Sequence, residues 1–228
     1  NTGRSPFRGD DNLLPSDWVS SNVTSGFTSL DGNTRAIDQE LERDRYTLGV
    51  ATKIGSAWAF ESSLSYEEKQ GTQDTGAAIF QDASAGHAAI LPQNIDYETI
   101  DFNASLNFKS EQLLLNSSLF YNEFDNGDDI LAWQNPYNVF GPNVRYPTGV
   151  GGLGVAPDNE YSGGRLLATW FIMPRLRLQM DGSFSLTEQD QNFEPYTINE
   201  NLSVSEPLPR TNLDGETETG TMDLRVFY

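Results

Sequence analysis

The 228-residue sequence has no cysteine, a single histidine (His87), and only 14 basic residues against 33 acidic ones. Without cysteine this chain forms no disulfide, no thiol nucleophile, no Cys-ligated zinc site and no covalent attachment to c-type haem. One histidine leaves neither a His-rich metal cluster nor a Ser-His-Asp constellation from this chain alone. A net charge of −19 repels nucleic-acid phosphates, so no nucleic-acid partner is expected. Also missing is any apolar run near ~18 residues, which excludes a spanning helix. It does not exclude a membrane β-barrel, whose strands need only ~9–11 residues and turn every second one away from lipid. The sequence opens on Asn1 with no signal peptide, so a processed form or a piece of a longer chain is expected.

What is present is period-two alternation. Ile100, Phe102, Ala104, Leu106 and Phe108 alternate with Asp101, Asn103, Ser105 and Asn107. Trp58, Phe60, Leu64 and Tyr66 alternate with Ala59, Glu61, Ser63 and Ser65. Leu176, Leu178, Met180 and Phe184 alternate with Arg177, Gln179, Asp181 and Ser183. The pattern repeats through Tyr46–Ile54, Leu166–Ile172 and Met222–Tyr228 and, less cleanly, through Leu113–Tyr121. Successive strand side chains point to opposite faces, so each segment carries one apolar and one polar face. In a barrel, Trp58, Phe60, Leu64, Ile100, Phe102, Leu106, Leu176, Leu178 and Phe184 would face lipid. Asp101, Asn103, Ser105, Asn107, Arg177, Gln179, Asp181 and Ser183 would face the lumen.

Short turns fall near 55–56, 109–111 and 173–175, where Pro174 fixes φ and removes a donor. Between the hairpins lie long Gly-, Pro-, Asn- and Asp-rich stretches, about 1–35, 70–96, 125–159 and 188–214. Short turns on one side and long loops on the other are the asymmetry of outer-membrane barrels, with the loops outside. The expected fold is therefore all-β: an antiparallel transmembrane barrel, present here as about seven strands of a larger one, or about eight if Asp17–Leu30 is a strand. An open seven-stranded sheet would leave unpaired edges in lipid, hence the larger barrel. Trp58, Tyr66, Tyr97, Phe108, Tyr121, Trp170 and Tyr228 sit at strand ends and read as interfacial girdles.

Few residues suggest chemistry. Asp125, Asp128 and Asp129 resemble a calcium loop in composition but lack the EF-hand spacing, so a solvated turn is the competing reading. Gly149–Gly154 is glycine-rich, yet no helix pattern follows to cradle a phosphate, so a flexible loop is expected. His87 sits among small residues as a solvent-exposed loop side chain. Glu67-Glu68 and similar pairs have nothing to place two carboxylates in one cleft, so no enzyme is expected.

Two regions are less generic. Leu91-Pro92-Gln93-Asn94-Ile95-Asp96-Tyr97-Glu98-Thr99 precedes two alternating strands and then Trp133-Gln134-Asn135-Pro136-Tyr137. Pro195-Tyr196-Thr197-Ile198-Asn199 precedes Leu208-Pro209-Arg210-Thr211-Asn212-Leu213-Asp214-Gly215. With Asn12-Leu13-Leu14-Pro15-Ser16-Asp17-Trp18-Val19 and Gln70-Gly71-Thr72, this ordered set resembles the MtrB/PioB family of outer-membrane barrels, as a central portion. The resemblance implies a bacterial outer-membrane sleeve that houses a periplasmic multihaem c-type cytochrome in its lumen and supports extracellular electron transfer. It also implies a second multihaem cytochrome at the outer loops, outer-membrane lipid around the barrel, and haem c on the partner with no cofactor held by this chain. Two other readings fit the pattern alone: a general or solute-specific diffusion porin, and a soluble acidic β-sandwich binding module.

Overall fold

The computed structural model describes residues 2–7, 12–21, 23–28, 30–80, 86–137, 149–200 and 202–228. Its body is one antiparallel sheet. The strands are β3 (Leu41–Ile54), β4 (Trp58–Phe80), β5 (Gly86–Lys109), β6 (Leu113–Asn126), β9 (Asn159–Met173), β10 (Leu176–Gln189) and β11 (Gly215–Phe227). They lie side by side in the order β11-β10-β9-β6-β5-β4-β3. The sheet is open, with β3 and β11 as its edges. Two small ribbons accompany it: β1 (Thr2–Ser5) with β2 (Arg35–Asp38), and β7 (Ile130–Gln134) with β8 (Val150–Gly154). Among the described residues, helix is confined to Leu30–Asn33 and a 3-10 turn at Thr24–Gly26.

All three expected turns are formed. Gly55 takes φ +67 between β3 and β4, a conformation that costs glycine nothing. The Ser110 hydroxyl accepts from the Leu113 amide at 3.0 Å in the β5–β6 turn, and Pro174 joins β9 to β10. The loop expected over 188–214 also stands, between Gln189 and Gly215.

Other expectations are corrected. Most of 70–96 is strand: β4 and β5 stay paired in one register from Trp58↔Phe108 to Phe80↔Gly86. Thus β4 runs 14 residues past Tyr66, about 46 Å at ~3.3 Å per residue, and beyond Gly71 it pairs with β5 alone as a two-stranded projection. Within 125–159 lie β7 and β8, so Gly149–Gly154 is not a flexible loop: Gly152 and Gly154 pair with Ala132 and Ile130. The stretch 1–35 contains β1 and the start of β2. Asp17–Leu30 forms no strand among the described residues, so it supplies no eighth strand to the sheet.

The buried core lies on the projection. Phe7, Ile79, Leu91, Leu131 and Tyr137 form one cluster, with Leu14, Phe27 and Trp133 against it. Asn12 is wholly buried, and its Nδ2 donates to the carbonyls of Pro92 (3.0 Å) and Ala132 (3.1 Å). Trp18 donates to the Pro136 carbonyl at 3.0 Å, and its ring meets Phe27, which meets Tyr137. This cap joins segments far apart in sequence onto one side of the β4–β5 projection.

Candidate functional site

Register assigns every strand residue to one of two faces. On the first face, hydrogen-bonded rows read Ile54, Trp58, Phe108, Leu115, Ala168, Met180, Leu224 and, next, Thr52, Phe60, Leu106, Ser117, Leu166, Gly182, Met222. The following row is Val50, Ser62, Ala104, Leu119, Gly164, Phe184, Gly220. Most of these side chains are apolar yet uncovered: Leu119 is 60% exposed and Met222 74%, and Leu48 of the next row 76%. The charge-free band spans Tyr46–Ile54 in β3 and Trp58–Tyr66 in β4, but Gly220–Val226 in β11, so it steps toward the turns across the sheet. Tilted barrel strands produce such a stagger. Eight residue steps from Trp58 to Tyr66 measure about 26 Å along the strand, and about 20 Å after a ~40° tilt, near the ~25 Å of a barrel's apolar belt.

All nine residues expected to face lipid, from Trp58 to Phe184, lie on this face, and the eight expected to face the lumen lie on the other. Trp58 and Phe108 touch at a centroid distance of 4.6 Å at the turn end, on the apolar face. Tyr97 is a correction to the girdle: odd positions of β5 belong to the polar face, so it is out of register with Tyr66 and Ile100.

The polar face is cross-linked by its own side chains. Asn116 donates to Asn107 at 2.6 Å, Asn122 to Asp101 at 2.7 Å, and the Ser183 and Thr221 hydroxyls are hydrogen-bonded at 2.6 Å. Arg45 pairs with Asp101 (3.1 Å) and Glu67 (3.7 Å), and Arg165 with Asp181 (2.5 Å). Charge is partitioned between the faces. The polar face holds Arg43, Arg45, Lys53, Lys69, Lys109, Arg165, Arg177 and Arg225 against Glu61, Glu67, Asp101, Asp181 and Asp223. The opposite face of the same sheet carries no basic residue. It carries Glu42, Asp44, Glu68, Asp74, Asp96, Glu98, Glu123, Asp125, Glu160, Glu188, Glu216 and Glu218, all on the loop side of its apolar band.

Sequence reasoning missed Phe120, Phe124, Tyr161, Phe171 and Phe227 on the polar face, and gave Tyr97 to the girdle. Tyr97 meets Phe124 edge-on at 5.1 Å, and Phe120 stacks on Tyr161 at 5.0 Å. Phe120 and Phe124 alternate with Leu119, Tyr121 and Glu123, so both faces of β6 carry rings and no period-two contrast betrays them. Gly163 makes room for this cluster: a Cβ there would collide with the Phe120 ring and the Phe184 carbonyl. Gly163→Ala should therefore cost about 1–3 kcal/mol through overpacking, measured as a shift in the urea midpoint.

Asp125, Asp128 and Asp129 do not converge. Asp128 accepts from Asn94 (2.9 Å), Asp129 accepts from Gln191 (2.6 Å), and Asp125 faces other carboxylates. Among the described residues, no three His, Cys, Asp or Glu side chains are arranged to hold a metal ion. The His87 side chain lies outside the described residues.

Asp125 borders a cleft of about 390 Å³ with Glu123, Asp158, Glu160, Glu188 and Glu216. Desolvation first, then the charges of Glu123, Asp158, Glu98 and Glu160, raise its pKa. The folded state thus binds this proton more readily than the unfolded chain. Its carboxylate opposes folding above the raised pKa, and that cost is relieved as pH falls through it. Asp125→Asn should be more stable than wild type at pH 7, with the gap closing on acidification. Urea midpoints across that range measure it, and a gap that widens toward acid contradicts the repulsion.

Residues 1–227 match the model of a family described as "Putative outer membrane beta-barrel porin, MtrB/PioB". The outer membrane protein MtrB of Shewanella baltica (strain OS185) is 27% identical over 168 residues, covering 70% of this chain and 22% of that protein. The chain thus spans about a fifth of that relative's length. Among solved structures, the ferric-catecholate import receptor Fiu of E. coli K12, open form, aligns at TM-score 0.45 and 10% identity, over 82% of this chain and 32% of the receptor.

Proposed function

Because the chain belongs to the MtrB/PioB family of outer-membrane β-barrels, we propose that it is part of the wall of a sleeve around a multihaem c-type cytochrome, supporting electron transfer across the outer membrane. The apolar face meets lipid and the polar face lines the lumen. The short turns lie on the periplasmic side, and the cap and long loops lie outside. Unpaired edges are not viable in lipid, so β3 and β11 pair with further strands in the working barrel.

The observation that carries this reading is the partition of the two faces. One carries an uninterrupted charge-free band with acidic residues only on its loop side; the other is a hydrogen-bonding wall holding all the basic residues of the sheet. Such a wall suits a wet, reversible contact with a folded protein. A sleeve has no chemistry to perform: it excludes lipid and holds the wire in place.

The test is a visible spectrum of the whole native barrel, purified in detergent from outer membranes. The expected result is a stoichiometric c-type haem band co-eluting with it. A haem-free barrel that conducts ions in planar bilayers would make the lumen a solute path instead.

A further inference from the structure

We infer that the aromatic cluster on the polar face is the anchor at which the wall grips the protein in its lumen, and that the gripped surface is apolar at its centre and acidic around it. This rests on the sleeve reading above and adds where contact is made and with what chemistry.

The first argument is solvent exposure. Tyr161 is 40% exposed, and Tyr97, Phe120 and Phe124 are only half-buried. On this face the two ring pairs lie near one another on β5, β6 and β9, whereas the other exposed apolar side chains of the wall, Leu114, Phe171 and Phe227, sit at its turn end. Exposed patches of this kind, centred on Tyr and Phe and rimmed by polar groups, mark protein contacts.

The second argument is charge. Lys69 lies over the Tyr97 ring at 5.4 Å, and Arg165, paired with Asp181, stands two residues beyond Gly163 on the same face. The patch sits in a face with a surplus of basic residues, within a chain of net charge −19. A cationic rim around aromatic anchors complements a partner bearing carboxylates around an apolar or planar surface.

The third argument is position. Leu91 of the cap and Ile95 below it are fully buried on this face, and Tyr97 is the next residue of that face toward the membrane. The cap thus ends where the patch begins, which leaves the rings open to the lumen below it. Well-packed aromatics at the centre of a contact carry a large share of binding free energy.

The experiment uses the whole barrel purified from outer membranes, washed at 0.1 M and 1 M NaCl. It compares wild type with Phe120→Ser/Tyr161→Ser and with Lys69→Glu. Heat-modifiable gel mobility reports whether each barrel is folded, and the haem-to-barrel absorbance ratio reports the partner. The double variant should lose about 10-fold or more of its haem at 1 M salt, where wild type keeps it. Lys69→Glu should lose haem already at 0.1 M. If the double variant does not fold, Lys69→Glu alone decides. Folded variants that hold haem as wild type does at both salts overturn this inference and leave the sleeve standing. A wild type without haem overturns the sleeve, and this inference with it.

Discussion

Ala104→Arg should destabilise the barrel in phospholipid vesicles by about 2–4 kcal/mol, whereas Asn103→Arg, one residue away, should cost less than about 1 kcal/mol. Ala104 is the middle position of the β5 band, flanked across the ladder by Ser62 and Leu119. Two residues of apolar wall separate it from either end of the band, so an arginine there has a long reach to water. Asn103 points the other way, beside Ser63 and Phe120. An arginine at that position enters the hydrogen-bonding wall, where a guanidinium keeps water and polar partners. Urea unfolding of both variants in vesicles measures the difference. Equal costs would mean that neither face is lipid, and a reversed order would mean that the faces have been assigned the wrong way round.

That contrast was legible in the sequence because period-two alternation is strongest where one face meets hydrocarbon and the other does not. The seven strands, their turns and the face of each lipid- or lumen-facing candidate followed from Ile100–Phe108 and its repeats. The upper halves of β4 and β5 were not legible, for a physical reason. There Gln73, Thr75 and Gln93 share the inner face with Ile79 and Leu91, and Thr75 donates to Gln93, so burial no longer tracks hydrophobicity. Pro92 added a false loop signal. It lies where β5 has β4 on one side only, since β6 pairs from Tyr97 onward, and a strand edge tolerates proline. The charge partition was equally hidden. It depends on register across seven strands, which no single strand reveals. The motifs that resemble the MtrB/PioB family were visible, but their structural role was not. Asn12, Trp18, Leu91, Pro92, Gln134, Pro136 and Tyr137 are far apart in sequence and meet in the cap.

Those motifs make the cap the second place where one substitution should have a large effect. Leu91 is fully buried between the β4–β5 projection and the segments that fold onto it. Leu91→Ala should cost the cap about 2–5 kcal/mol, from lost burial and the cavity left among Phe7, Ile79, Leu131 and Tyr137. The membrane band lies below and shares no side chain with this cluster. The loss should therefore appear as local opening rather than global unfolding. Limited proteolysis of intact cells separates the two. The expected result is faster cleavage within residues 5–27 and 130–155, with heat-modifiable mobility of the barrel unchanged. Cleavage at the wild-type rate would mean that the cap is held by its backbone hydrogen bonds and by Asn12 rather than by its apolar cluster. Loss of heat-modifiability would mean that cap and barrel unfold as one unit. In that case the motifs shared with the family serve the stability of the whole wall rather than the shape of its outer mouth.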